Sequence, residues 1–438
     1  MSVIDWVRGD LLGIEFPAHA EALRQGGTDF LTAAFRLAGA LTDDNRVTRI
    51  TECREVLGGS TGRKLVLSVE YLHPSPQLHN DLFVKFSRDF DSAHRDAAKI
   101  QMELEVKFAL LSRSPDFPIT VPVCYFSDYH HESGTGILVT QRIPYEENGV
   151  EPLYPKSLDY LMPDQYGHYR ALIRALARLA GSHKAGRLPD TLERYFPFDP
   201  GKLAVSKRDP YTPEQVLQRV DEYTQFAERY PQLLPANIRS GAFLQRLRHE
   251  APRFQAMEAT AKAILQSRPD LIAFCHWNAH VDNAWFWTGA NGEIECGLMD
   301  WGNASQMNVG MALWGCLSAA EPALWNDHLD DLIQLFASEY TRSGGPELDV
   351  GELKLHLTIY VAMMGLAWML DAPKLVIAHA PDLADASDRS DERIAGNERA
   401  RSQLLIMSIF LNLWEREDMA AVLEHMEHFE QRTLSRTL

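Results

Sequence analysis

The sequence predicts an α+β chain in two parts, a small antiparallel sheet carrying one helix and a larger, mainly helical remainder. Three observations predict it. Short runs rich in Val, Ile and Leu, separated by turn residues, crowd positions 47–141. After Asp300 the apolar residues recur at helical spacing, with little β-branched alternation. The chain is 438 residues long, more than one ordinary core holds, so two lobes are expected.

Taken in order, residues 1–46 read as a helical extension, with Phe30, Ala34, Leu37 and Leu41 at helical spacing. The small part, 47–144, opens with strands at 48–57 and 64–72. Between them lies Gly58-Gly59-Ser60-Thr61-Gly62, a turn whose bare N–H groups suit phosphate oxygens, although such turns are more often structural. A third strand, 81–87, carries one lysine, Lys85, between Val84 and Phe86. An ammonium inside an apolar strand needs a fixed anionic partner.

The helix expected at 96–112 offers two, on an apolar stripe of Ile100, Leu104, Phe108 and Leu111. Glu103 stands four residues from Lys99 and Lys107, on a solvated face. Glu105 lies nearer the buried edge and is preferred, although a slip of the helix exchanges the two. Strands at 121–129 and 136–141 complete about five, and the last runs into Gln141-Arg142-Ile143-Pro144.

The large part, 145–438, begins with a polar linker to 165. A strong helix follows at 166–184, ended by His183, which is read as structural. Residues 186–235 carry short helices at best; 244–266 is a longer one, leading to a strand at 271–274. The acidic stretch 380–399 reads as a surface loop, with a mobile flap as the second reading. Trp277, Trp285, Trp287, Trp301 and Trp314 crowd the centre and are read first as core.

Composition narrows the function classes. The formal charge of −17 and pI near 5.4 argue against phosphate-dominated nucleic-acid binding. An acidic surface suits a cationic substrate and, equally, any soluble protein. The five cysteines have no metal-ligand or redox spacing, which fits a reducing cytoplasm. No basic-then-apolar leader opens the chain, and the apolar run at 357–370 is too short to span a bilayer, so membrane insertion is not expected.

The chemistry concentrates at 275–304. A loop carries His276, Asn278, His280, Asp282 and Asn283; two apolar runs, 284–288 and 294–299, flank an Asn291-Gly292 turn; Asp300-Trp301-Gly302 follows. A hairpin there sets the Asn283 amide beside the Asp300 carboxylate, an all-oxygen pair suited to Mg²⁺.

These motifs resemble the aminoglycoside-phosphotransferase and choline/ecdysteroid-kinase branch of the protein-kinase-like fold. The family pattern is His-Gly-Asp, four residues, Asn, then a hairpin and Asp-[Trp/Phe]-[Gly/Glu]. Here His276, Asn283 and Asp300-Trp301-Gly302 hold those places, and Asn278 stands where the family has its catalytic Asp. The resemblance runs in order over about 47–320, with the glycine turn, Lys85 and the helix glutamate as its N-lobe. It implies a two-lobed kinase-like fold in which Gly58–Gly62, Lys85 and Glu105 hold ATP. It further implies that Gln141, Arg142 and Ile143 form the adenine-contacting hinge and that Asn283 and Asp300 bind Mg²⁺.

The expectation is an ATP-dependent phosphotransferase acting on a hydroxyl of a small molecule. Segments 360–370 and 406–414 hint at a hydrophobic alcohol but read first as helix core. An amide orients a hydroxyl but takes no proton. Asn278 therefore leaves three options: slow transfer through a loose transition state, a displaced base at Asp282 or His280, or a nucleotide-binding pseudokinase with a regulatory or scaffolding role.

Overall fold

The computed structural model describes residues 4–56, 62–92, 94–202 and 211–437. The expected class is met, with a five-stranded antiparallel sheet early in the chain and helices through most of the rest. Two compact units form: Met1–Glu151 with Leu188–Pro197 and Gly297–Ala304, and Pro152–Arg187 with Phe198–Cys296 and Ser305–Leu438.

The first unit opens on a hairpin, β1 (Trp6–Arg8) and β2 (Glu15–Pro17), before α1 (Ala20–Leu37). The sequence predicted only helix there, because strands of three residues carry no readable alternation. Asp128 accepts the Leu11 and Leu12 N–H groups at 3.0 and 3.1 Å, sewing the hairpin's turn to the sheet. The α1 stripe uses Phe30, Leu31, Ala34 and Phe35. Leu37, expected on it, is 51% exposed, because the buried stripe runs through Leu31 and Phe35 and leaves this last residue of the helix outside it.

The sheet runs in the order β3 (Val47–Val56), β4 (Gly62–Tyr71), β5 (Asp81–Ser87), β7 (Thr135–Gln141), β6 (Cys124–His130), with α2 (Arg95–Leu111) between β5 and β6 in sequence. Residues 57–61, with Gly58, Gly59, Ser60 and Thr61 of the expected phosphate turn, lie outside the described residues; Gly62 starts β4. Strand alternation separates two faces. Leu82, Val84 and Phe86 of β5 join Leu23, Phe30 and Phe35 of α1 in one core, whereas Leu138, register partner of Lys85, packs with Met102, Val106 and Ala109 of α2. Lys85 therefore points to the α2 side.

The second unit is mainly helical. It contains α3 (Gln165–Lys184), then, beyond the short α4 (Thr191–Tyr195) that belongs to the first unit, α5 (Pro213–Arg229), α6 (Gly241–Ala256) and α7 (Glu258–Gln266). Next come β8 (Ile272–His276), β9 (Ala284–Thr288), β10 (Ile294–Leu298) and β11 (Ala304–Asn308). The rest is α8 (Val309–Leu317), α9 (Pro322–Arg342), α10 (Val350–Ala367), α11 (Ala372–His379), α12 (Glu392–Ala395), α13 (Glu398–Arg416) and α14 (Met419–Thr437).

The 17-residue α5 overturns the expectation of short helices in 186–235. Its start was legible: Thr212 and Gln215 form a reciprocal capping box with Pro213 at the first turn. The long helix expected at 244–266 is two, broken at Met257. All five cysteines are free thiols. Among the described residues one stretch, Val350–His379, is long and apolar enough to cross a membrane, and 56% of its most apolar window is buried inside the chain.

Candidate functional site

In the first unit the period-2 alternation of β5 and the rotation of α2 bring Lys85 and Glu105 together. Lys85 Nζ donates to Glu105 Oε2 at 2.5 Å and to Asp300 Oδ1 at 3.2 Å, and both Lys85 and Glu105 are buried. Glu103 instead takes Lys107 at 2.7 Å, on the outer face. Ile100, expected in the apolar stripe, is 57% exposed; Met102, Val106 and Ala109 take the inner face. Burial works against the Lys85 charge, but the carboxylates of Glu105 and Asp300 outweigh it and hold the ammonium well above its usual range. Burial pushes Glu105 up, and Lys85 opposes that. With one ammonium and two carboxylates the cluster carries a formal charge of −1, a fitting place for a metal cation.

Asp300 adopts φ 60°, a left-handed conformation rare for a residue with a side chain. Its neighbours fix it. The Trp301 ring stacks on Phe108 of α2 at 3.7 Å and 8°, and its Nε1 donates to the Leu298 carbonyl at 3.1 Å. Gln101 Nε2 reaches Asn303 Oδ1 at 3.4 Å. One helix thus carries Glu105 on one turn and the platform for the Asp300 loop on the next. Sequence reasoning read Trp301 as core and missed this tie; the three-residue spacing of Glu105 and Phe108 was its only signal.

At the end of β7, the Gln141 N–H donates to Val123 O at 2.8 Å and the Arg142 N–H to Asp81 O at 3.1 Å, while the Ile143 carbonyl accepts from Tyr145 N at 3.1 Å.

The catalytic-type loop belongs to the second unit and is held from several sides. His276 is fully buried, and its Nδ1 accepts the Asn278 N–H at 3.1 Å. Asn283 Nδ2 donates to the Asn278 carbonyl at 2.9 Å, which leaves the Asn283 side-chain oxygen as its acceptor atom. The Asn278 backbone is pinned at both its N–H and its carbonyl. Trp277 Nε1 donates to Tyr360 OH at 2.8 Å, tying the loop to α10. A methyl group at Gly315 of α8 would lie 1.5 Å from the Trp277 carbonyl oxygen, so only glycine admits this approach. His183 Nδ1 accepts the Phe274 N–H at 3.1 Å. It holds the strand entering the loop.

His280 is buried and shares a hydrogen bond with Ser318 at 2.8 Å. Burial, aided by the charges of Lys156 and His276, keeps its pKa well below the usual range, so the ring is neutral. Asp282 lies in the electrostatic range of two buried groups, Asp159 and Tyr169. Tyr169 OH donates to Asp159 Oδ2 at 2.5 Å. Asp159, inside the stretch read as a polar linker, is 0% exposed; nothing in that run distinguished it.

The donors fit Mg²⁺ better than a transition metal. Among the described residues no group of three His, Cys, Asp or Glu side chains forms a metal cluster. Asp300 offers oxygen only, and Mg²⁺ takes one or two protein oxygens while keeping waters and phosphate ligands.

No protein-family model and no curated protein matches the chain. Solved structures do. A choline kinase from Cryptosporidium parvum is 11% identical, with 88% of this chain and 90% of that one covered, at a TM-score of 0.36. A choline/ethanolamine kinase family protein from Mesorhizobium loti is 18% identical over 82% and 92%, at 0.35. A spectinomycin phosphotransferase in complex with ADP and spectinomycin is 14% identical over 87% and 94%, at 0.37.

Proposed function

We propose that the chain is an ATP-dependent phosphotransferase acting on a hydroxyl of a small molecule, with an atypical catalytic loop. The observation that carries this reading is Lys85 buried between Glu105 and Asp300. Burying an ammonium with two carboxylates is costly for stability alone, and apolar residues of similar volume would serve a core at least as well. A triphosphate gives the arrangement a purpose.

Lys85, oriented by Glu105, grips the α- and β-phosphates through the donor it has left, since an ammonium has three and two are engaged. Asp300 would hold Mg²⁺, with the Asn283 side-chain oxygen as the other candidate ligand, and the metal would supply neutralisation of the phosphate charge. The nucleotide supplies the phosphoryl group. With the Gln141 and Arg142 N–H groups engaged within the sheet, the Ile143 N–H reads the adenine edge.

Asn278, pinned through its backbone, orients the acceptor hydroxyl with its amide. The proton leaves late, because phosphoryl transfer through a loose transition state demands little proton removal early. His280 and Asp282 are the titratable neighbours in the loop; the neutral imidazole of His280 has the protonation state of a base at neutral pH. The second reading, a nucleotide-binding pseudokinase, is favoured by the same Asn278.

Turnover of ATP with Mg²⁺ across a panel of hydroxylated small molecules, wild type against Asn278→Asp, separates the two readings. Slow wild-type transfer that rises in the variant supports the kinase. Tight nucleotide binding with no transfer by either protein supports the pseudokinase.

A further inference from the structure

Within the second unit, three elements bring carboxylates into one buried neighbourhood. Asp159 comes from the helical turn Asp159–Leu161, Asp282 from the turn Val281–Asn283, and Glu321 from the cap position of α9. Asp159 is 0% exposed and Glu321 7%. Each affects the next: burial, with the charges of Glu321 and Asp282 adding to it and the Tyr169 hydrogen bond opposing, pushes the Asp159 pKa up to about 7.

The cation facing them comes from the chain itself. Arg389, on the stretch between Leu383–Asp385 and α12, pairs with Glu321 Oε2, and its guanidinium carbon sits 5.7 Å from the centre of the Tyr160 ring. The pairing is incomplete. Asp159 Oδ1 and Glu321 Oε1 are buried with no hydrogen-bond partner, and a buried unsatisfied carboxylate oxygen is costly.

Arg389 is itself partly exposed, at 30% of its side chain. Its segment is short, and Gln232 Nε2 ties it to the fold through the carbonyls of Leu383 and Ala386, at 3.5 and 3.3 Å. Beside it lies a cavity of about 430 Å³ with an apolar floor of Leu233, Leu234, Pro322 and Leu405. That size suits a small ligand.

We propose that the recess formed by Asp159, Glu321 and Tyr160 is a binding site for a guanidinium-bearing small molecule with a compact apolar body, and that Arg389 is its built-in competitor. The ligand's planar fork takes the Glu321 carboxylate and the open Asp159 oxygen, while its face rests on Tyr160 and its body fills the adjoining cavity. An ammonium lacks the planar fork that reaches two acceptors while stacking. The tethered Arg389 acts as a competitor at millimolar effective concentration, so the wild-type chain binds weakly and withdrawal of the arm opens the site. The inference goes beyond the phosphotransferase reading and does not depend on it.

The test is calorimetric titration of the full chain, without nucleotide, with phenylguanidine and its neutral counterpart phenylurea. Arg389→Ala binds phenylguanidine at least tenfold tighter than wild type, phenylurea binds neither, and adding Glu321→Gln abolishes the gain. Arg389→Gln, which keeps most of the side chain, repeats the comparison if circular dichroism shows that the alanine variant is not folded. Equal affinity of wild type and both Arg389 variants, absence of saturable binding, or phenylurea binding as tightly as phenylguanidine overturns the proposal.

Discussion

Asp159 shows how a single carboxyl can set the pH dependence of the fold. Burial, with Glu321 and Asp282 adding to it and Tyr169 opposing, pushes it up to about 7, against an ordinary value near ~3.9. The folded chain then keeps the proton while the unfolded chain loses it. Stability is full below pH ~4 and falls as pH rises through ~7. Asp159→Asn, which mimics the neutral carboxyl, should match wild type in urea melts near pH 4 and exceed it by roughly 2–4 kcal/mol at pH 8. A constant difference across that range would refute the assignment. At Asn278 the expected outcome is kinetic: Asn278→Asp should raise phosphoryl transfer by roughly 10²–10⁴-fold with little change in nucleotide affinity, read from initial rates.

At the scale of elements, α2 and the catalytic-type loop set the geometry. The stack of Trp301 on Phe108 couples the helix bearing Glu105 to the loop bearing Asp300. Trp301→Ala should cost about 3–5 kcal/mol of stability by chemical denaturation, and in the variant that remains folded, Mg²⁺–ATP affinity should fall. Unchanged affinity would mean that the stack is packing alone. Gly315→Ala drives a methyl group into the Trp277 carbonyl. It should lower stability by about 1–3 kcal/mol or more and slow transfer. A neutral effect would show that the loop yields there.

Legibility followed the same division. A lysine in an apolar strand announced that it needed an anion, and strand alternation is rigid enough to say which face it occupies. Helix phase is softer. The sequence preferred Glu105 to Glu103, although a slip of the helix exchanges them, and the rotation that exposes Ile100 and buries Met102 and Val106 brings Glu105 to Lys85. The long helix at 213–229 was missed because the prolines and charges of 186–235 read as short helices at best, although Thr212 and Gln215 form a capping box at its start. Asp159 was unreadable, since only distant segments, α3, the loop after β8 and the α9 cap, make its surroundings dry.

For the whole molecule the central claim is chemical. On the proposed reading, the buried Lys85, paired with Glu105 and Asp300, serves a Mg²⁺-bound triphosphate. The most direct measurement is calorimetric titration of the full chain with a non-hydrolysable ATP analogue, with and without Mg²⁺, for wild type and Lys85→Met. The account predicts saturable, Mg²⁺-dependent binding to wild type that weakens at least tenfold in a folded Lys85→Met. Absence of binding to wild type, or equal affinity in the two proteins, would contradict it.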